Sequence, residues 1–521
     1  MKPFYRLRLL LMMALLLAAM AAVICWASPY APVVAPAPED IQALWDIEDA
    51  RSESETPLVT ALENHGVPLA YDAGSNTFYC TLGLKNENEW PQLHLTAPGA
   101  KGVKLIFADD YSYDWCADAI AEGYSYQVMA YTDTAFSYFD IVFTGLPIVS
   151  LDTQQTITEM DTPAQMAFSV HGEEALRSPV RVHLRGDRSV TWRPKAGYKI
   201  EFTRGAAGTG KVSQEVSGLA YTDEALLLPI AVDGTMMRDR LSWDMVSLAM
   251  DESEGFGGLP SQYVELFVGG SYEGIYLMLK PFDVADEMEK LGKNSPMTDS
   301  LYRVSRLEMA KDRPILPDET QPEIGFELFH APDMTRGFDA LAAYTALLGE
   351  TDDAAFCEKA LACIDMPSLL RYELIMQAGG MVDNALNNLY IWAHKEGSRF
   401  RYRFAFWDMD LTWGMYAGED GERWVELPVA DRVIALNPGG EIPQMTARIW
   451  EEMKARGFTA ETVERLITQY THELGDSGAY ARDAQRWEKG DFYPDGYGIV
   501  AFAKARFEMM DEWVASLGKT P

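Results

Sequence analysis

Asp383, Asn388, Asp408 and Asp410 fall within one stretch, Gly379 to Gly414, GGMVDNALNNLYIWAHKEGSRFRYRFAFWDMDLTWG. Their types and spacing suit phosphoryl transfer. That chemistry uses a divalent cation held by hard oxygen ligands, and Mg²⁺ takes only one or two of these from protein. It also needs a carboxylate that orients the acceptor hydroxyl or accepts its proton. An Asp, an Asn five residues on and further Asp residues beyond two apolar runs can meet both needs. Polar loop residues of these types also cap turns or simply face solvent.

The surrounding sequence predicts the elements that would position them. IDMPSLLRYELIMQA reads as a helix, with Asp365 at the N-cap, Pro367 in the first turn and Gly379-Gly380 as the stop. LYIWA and FRYRFAFW, separated by KEGS, read as a hairpin that delivers Asp408 at its far end. Protein kinases use this same order of helix, Asp-and-Asn loop, hairpin and second Asp.

Composition narrows the function classes. The 521 residues carry 44 Lys and Arg against 78 Asp and Glu, a formal charge of −34, which excludes nucleic acid as a natural partner. Any nucleotide site must bring its own cations. Lys2, Arg6 and Arg8 precede an apolar run from Leu9 to Trp26, the pattern of an export signal that is also long enough to remain as a membrane anchor. The expected location is therefore secreted, or anchored facing outward. Beyond this segment lie Cys80, Cys116, Cys357 and Cys363. Two disulfides are possible, Cys80–Cys116 and Cys357–Cys363 being the most local pairing, and four free thiols are equally compatible. No CxxC or HExxH pattern points to zinc.

Taken in order, residues 1–28 read as signal peptide or anchor and 29–66 as linker and helix, the helix expected from Asp40 to about His65 with a break near Thr56-Pro57. Residues 67–144 read as a small antiparallel, sandwich-like β-domain. Its Tyr111, Tyr113, Trp115, Tyr124 and Tyr126 could form a sugar-stacking platform, or serve as ordinary strand aromatics. Residues 146–521 form the larger α+β unit, strand-rich first and helical towards the C-terminus. There, Val180, Val182 and Leu184 alternate with Arg181, His183 and Arg185, and Met237, Leu241, Met245 and Leu248 recur at helical spacing behind Asp233 and Thr235. YVELFVGGSYEGIYLML reads as a hairpin, with Val264, Leu266 and Val268 opposite Ile275, Leu277 and Leu279.

Two further signals bear on phosphate. Gly205 to Lys211 matches GxxxxGK, but Val212 stands where a hydroxyl is required and no helix is predicted after it, so a surface turn is the better reading. Lys199 lies in the strand Tyr198–Phe202 and could reach the phosphates of a nucleotide, while Arg185, Arg188 and Arg238 are further available cations.

From Leu146 onward the chain resembles the CotH kinase family, typified by the spore-coat protein H kinases. The similarity is carried by LPIVSLDT, LRGDRS with KAGYKIEF, VDGTMMRDRLSWDM, ELFVGGSYEGIYLM, DNALNNLYIW, FAFWDMDLTWG and AQRWEKG, in that order. The resemblance implies a distant protein-kinase-like fold using ATP and Mg²⁺, with transfer to Ser/Thr of secreted, coat or surface proteins. It implies that Asp383 is the catalytic carboxylate, that Lys199 contacts phosphates, and that Asn388 and Asp408 hold metal. Asp410 is implied as a supporting metal ligand, and Arg185 and Arg238 as supporting nucleotide contacts. Asp187-Arg188, Gly269 and Lys280 depart from the family pattern. Two other readings use the same residues: a non-catalytic kinase-like surface module, and a metal-dependent hydrolase built on Asp408 and Asp410.

Overall fold

The computed structural model describes residues 31–38, 41–83, 92–108, 116–186, 195–205, 210–250, 257–282, 299–304, 325–331, 337–415, 423–488 and 495–517. The expected signal segment 1–28, Tyr111, Tyr113, Trp115, Asp187 and Arg188 lie outside these residues. Among those described, no helix is long and apolar enough to cross a membrane.

The N-terminal region differs from its sequence reading in two ways. The helix covers only Gln42–Asp49. Beyond it the Ser54 hydroxyl accepts the Thr56 N–H and donates to the Thr56 carbonyl just before Pro57, which favours turn over helix, and Ser52–Glu53 pairs as a strand with Ala135–Phe136. The β-domain is also mixed rather than antiparallel. Thr77–Thr81 runs parallel to the first residues' partner strand Ala135–Thr144, which is antiparallel to Ser125–Tyr131. The long stretch between Thr81 and Ala135, which includes the strands Leu95–Thr96, Lys104–Phe107 and Ser125–Tyr131 and the helix Cys116–Ala121, serves as the crossover that a parallel pair requires. Phe78, Cys80, Cys116 and Tyr126 share one buried core. No disulfide joins Cys80, Cys116, Cys357 or Cys363 among the described residues. Of the expected aromatic platform, Tyr126 is core, and exposed Tyr124 packs edge-on against it at 4.7 Å.

Strands β1 (Ile148–Asp152), β2 (Thr162–Val170), β3 (Glu173–Arg185), β4 (Gly197–Phe202), β5 (Glu224–Leu228), β6 (Ser261–Val268) and β7 (Ser271–Leu279) form a closed barrel in the order β1-β2-β3-β4-β5-β7-β6. Parallel pairing of β1 with β6 closes it. Val180, Val182, Tyr198, Ile200 and Phe202 alternate into the barrel interior, which leaves Arg181, His183, Lys199 and Arg185 on the outside. The β6–β7 register corrects the sequence reading. A bulge at Leu266/Phe267 sets Val264 opposite Tyr276 and Leu266 opposite Gly274. Val264 and Leu266 therefore fill the barrel, whereas Ile275, Leu277 and Leu279 face outward onto the helical half.

Between β5 and β6 lies helix α1 (Arg238–Ala249). The Asp233 carboxylate accepts the N–H groups of Met237 and Arg238 at 2.9 and 2.8 Å and so caps the helix. A four-stranded sheet follows, in the order β9-β8-β10-β11, from β8 (Asp299–Val304), β9 (Phe326–His330), β10 (Leu389–Glu396) and β11 (Arg399–Phe406). Helices α2 (Asp339–Leu348), α3 (Asp353–Cys363), α4 (Met366–Gly379) and α5 (Val382–Leu386) lie between β9 and β10. Helices α6 (Pro428–Leu436), α7 (Ile442–Ala455), α8 (Ala460–Asp476), α9 (Ala479–Arg486) and α10 (Tyr497–Leu517) complete the chain. As expected, Asp365 caps α4 by accepting the Ser368 N–H, and Gly380 ends it in the left-handed region at φ 58°.

Helix α9 locks the helical half onto the barrel. Arg482 donates two hydrogen bonds to Glu265, at 3.0 and 2.9 Å, and Tyr272 donates a third at 2.6 Å. The adjacent Asp483 accepts from Lys195 Nζ at 2.5 Å and from the Ile275 N–H at 2.9 Å. All four charged side chains are buried. Gly274 is required here: at φ 85°, a Cβ would sit 2.1 Å from Asp483 Oδ1. Removing one member of a buried pair strands the other charge, so Arg482→Met is expected to lower stability by about 3–5 kcal/mol. Arg482→Met with Glu265→Leu should recover part of that loss, as measured by denaturant unfolding midpoints.

Candidate functional site

Asp383 sits in the first turn of α5, directly after the glycine stop of α4. Its Oδ1 accepts the Asn387 amide at 2.6 Å and its Oδ2 accepts the Asn388 amide at 2.7 Å. Both backbone N–H groups of these asparagines also point to the Asp383 carbonyl. The carboxylate is thus held by the residues that follow it. Asn384 ties this loop to the next one by donating to the Trp407 carbonyl at 2.7 Å. Asn388 is 4% exposed, and with its amide nitrogen committed to Asp383, its Oδ1 is a buried acceptor without a partner among the described residues.

Asp408 leaves β11 in the left-handed region at φ 54°, a conformation that Asp tolerates better than most residues, and its side chain is exposed. The loop beyond it is pinned. Thr412 donates to the Met409 carbonyl, Ser242 of α1 bonds Thr412, and Trp413 Nε1 donates to Ser242. Asp410 is pushed up to about 8, chiefly by burial and then by the charges of Asp408, Asp239, Asp383 and Asp233. Asp239 of α1 is pushed up to about 7 by burial and by Asp408, with the Met409 N–H and Arg185 acting the other way. Arg185, at the end of β3, is drawn down by burial while Asp408 and Asp239 favour its charge, and its guanidinium lies 5.5 Å from the Trp407 ring.

Charge coupling therefore runs from Asp383 to Asp410, from Asp410 to Asp408 and Asp239, and from those two to Arg185, and Asn388 joins the chain through its bond to Asp383. Lys199 is engaged elsewhere: its Nζ pairs with Glu224 Oε2 at 2.8 Å. Burial alone would raise Glu224, but Lys199 and Lys211 hold it below the usual carboxylate range. Beside this pair is a cavity of about 230 Å³ lined by Tyr221, Thr222, Glu224, Lys280 and Phe282. The Phe282 ring lies 5.9 Å from Trp407, the residue before Asp408, so one aromatic contact connects the cavity to the acidic loops. Arg238 pairs with Asp233 at the cap of α1. The residues after Lys211 form the strand Gln214–Val216, with no helix that could serve a P-loop.

Sequence reading missed Asp239 and the buttressing role of Asn384 and Asn387. Asp239 did leave a signal. It heads the i, i+3, i+4, i+7 set with Ser242, Trp243 and Val246, a carboxylate within a buried helix stripe. Among the described residues, no three Asp, Glu, His or Cys side chains form a ready metal cage.

The family model for the CotH kinase protein matches residues 182–516, and the chain belongs to that family. The match begins within β3, after the two strands that complete the barrel. No curated protein matches the chain.

With a chelator present, stability should fall as pH rises from about 4 to about 8. Over that range the folded state keeps protons on Asp239 (about 7) and Asp410 (about 8) that unfolded carboxylates have already released. Asp410→Asn should flatten this decline, read as unfolding midpoint against pH.

Proposed function

We propose that this protein is an exported atypical kinase that transfers the γ-phosphate of ATP to Ser or Thr hydroxyls of secreted, coat or surface proteins. The observation that carries this reading is the charge coupling from Asp383 through Asp410 and Asp408 to Arg185, with Asn388, whose Oδ1 has no partner among the described residues, bonded to Asp383. The order of elements supports a distant protein-kinase-like fold: lysine strand β4, helix α1, hairpin β6–β7, helix α4, Asp-and-Asn loop, hairpin β10–β11, then Asp408.

The donor set fits Mg²⁺. Asn388 Oδ1 is a buried hard acceptor with no donor among the described residues, and Asp408 offers an exposed carboxylate coupled to Asp410. Asn388 and Asp408 would hold the ion, with Asp410 in support, and so few protein ligands are normal for Mg²⁺. Bound Mg²⁺ would supply charge neutralisation on phosphate oxygens. Asp383 is the group to orient the acceptor hydroxyl and take its proton; the asparagine amides hold its carboxylate in place. Arg185, sandwiched between Trp407 and the acids, offers a fixed positive charge to a polyphosphate. Lys199, with Lys280 and the cavity by Phe282, would form the nucleotide's other flank. Arg238 serves this arrangement by securing Asp233 and the start of α1.

Purified protein given labelled ATP and Mg²⁺ should label itself or a Ser/Thr-rich protein. Asp383→Ala and Asp408→Ala should each cut labelling about 100-fold or more while the fold is retained. Labelling that persisted in both variants would sink the assignment. Absence of labelling in the parent protein, with no Mg²⁺-dependent nucleotide binding, would favour the non-catalytic module.

A further inference from the structure

We infer that the cleft between the N-terminal β-domain and the barrel is a binding site for a neutral, polyhydroxylated ligand, an oligosaccharide. The cleft encloses about 360 Å³, the size class of small-ligand sites, and no residue of the acidic loops lines it. The inference is independent of the phosphotransfer reading.

One wall is the outer face of β1 and β2. Val149, Leu151, Met166 and Phe168 turn into the barrel, so Ser150, Asp152, Gln165 and Ser169 point out into the cleft. Among the described residues, Ser150, Gln165 and Ser169 have no side-chain hydrogen-bond partner. The opposite wall is the strand Thr77–Thr81. Phe78 and Cys80 enter the domain core, while Tyr79 packs towards the barrel against Phe267 and Tyr272. Thr81, two residues on, shares that face and lines the cleft. It is 3% exposed, and its hydroxyl is buried with no hydrogen-bond partner among the described residues. A buried hydroxyl without a partner is costly in a native fold, and a ligand that bonds it removes the cost.

The chemistry of the walls selects the ligand. Anions are disfavoured, because the one lining cation, Arg177, is tied to Glu174 at 3.0 Å and Asp152 adds negative charge. The barrel wall gives an added peptide strand nothing to pair with. β1 is paired on both sides, with β2 and β6, and β2 with β1 and β3, so this wall offers side chains and no free backbone edge. What remains is the hydroxyls of Thr60, Thr81, Ser150 and Ser169, one primary amide and one carboxylate, which match the alternating donors and acceptors of sugar hydroxyls. Half-buried Tyr71 lines the same cleft, its ring stacked on Phe78 at 4.5 Å, and gives the apolar face of a pyranose a rigid surface.

The test is calorimetric titration of the full chain with maltotriose, cellotriose, chitotriose and xylotriose at millimolar concentration. At least one should bind. Gln165→Ala and Thr81→Val should each weaken that binding about tenfold, with the unfolding midpoint unchanged for the first and unchanged or higher for the second. Labelling by ATP should be the same in both variants as in the parent. If none of these sugars bound, or if both variants bound as tightly as the parent, the inference would be overturned.

Discussion

Two adjacent residues of α9, Arg482 and Asp483, hold the molecule's parts in one arrangement. Each is a charge in a dry interior, and each is tolerable only because its partner, Glu265 or Lys195, is placed to meet it. The partners belong to the barrel, so the docking angle of the helical half is set by charge pairing and not by apolar contact alone. The N-terminal domain joins at the same point. Gly478, just before α9, lies so close to the helix Cys116–Ala121 that a Cβ would meet the Ile120 carbonyl at 2.1 Å, and Thr144 donates to the Ser477 carbonyl. Three units therefore converge on a few residues near the C-terminus.

The same reliance on buried polar groups recurs at the acidic loops. Asp239 reaches them from α1, Arg185 from the barrel, and Asp383 and Asp408 from the helical half. The site exists only when the halves are docked. Its carboxylates are crowded enough that burial and mutual repulsion keep Asp410 and Asp239 partly protonated near neutrality. A cation in their midst would be electrostatically welcome, whatever reaction follows.

The helix α4 with its Asp cap and glycine stop, the β10–β11 hairpin and helix α1 were legible because each combines a period with local punctuation. Asp383, Asn388 and Asp408 were singled out by spacing. Their convergence with Arg185 could not be found that way, since it depends on how far β3 runs before it turns. Lys199 shows the limit most clearly. Its alternation placed it on the outer face, but only the β4–β5 register reveals Glu224 as its partner. The β6–β7 facing was misread because a bulge shifts the pairing, and a bulge has no reliable signature in composition. The N-terminal helix was overextended because Ser54 looks helix-compatible until its hydroxyl bonds the Thr56 backbone. Glu373 and Arg506 resemble surface charges in sequence. In the fold they are buried on either side of Gln377, and burial pushes Glu373 up to about 8.

Closure of the barrel has a consequence for how the chain is made. Ile148–Asp152 finds its second neighbour only in Ser261–Val268, so more than a hundred intervening residues must be synthesised before the cylinder can shut. Until then a row of unsatisfied amides and carbonyls stays available to any passing strand, a hazard for association with other chains. Further round the half-built sheet, Lys199, Glu201 and Glu224 keep the outer face of β4 and β5 charged during the wait.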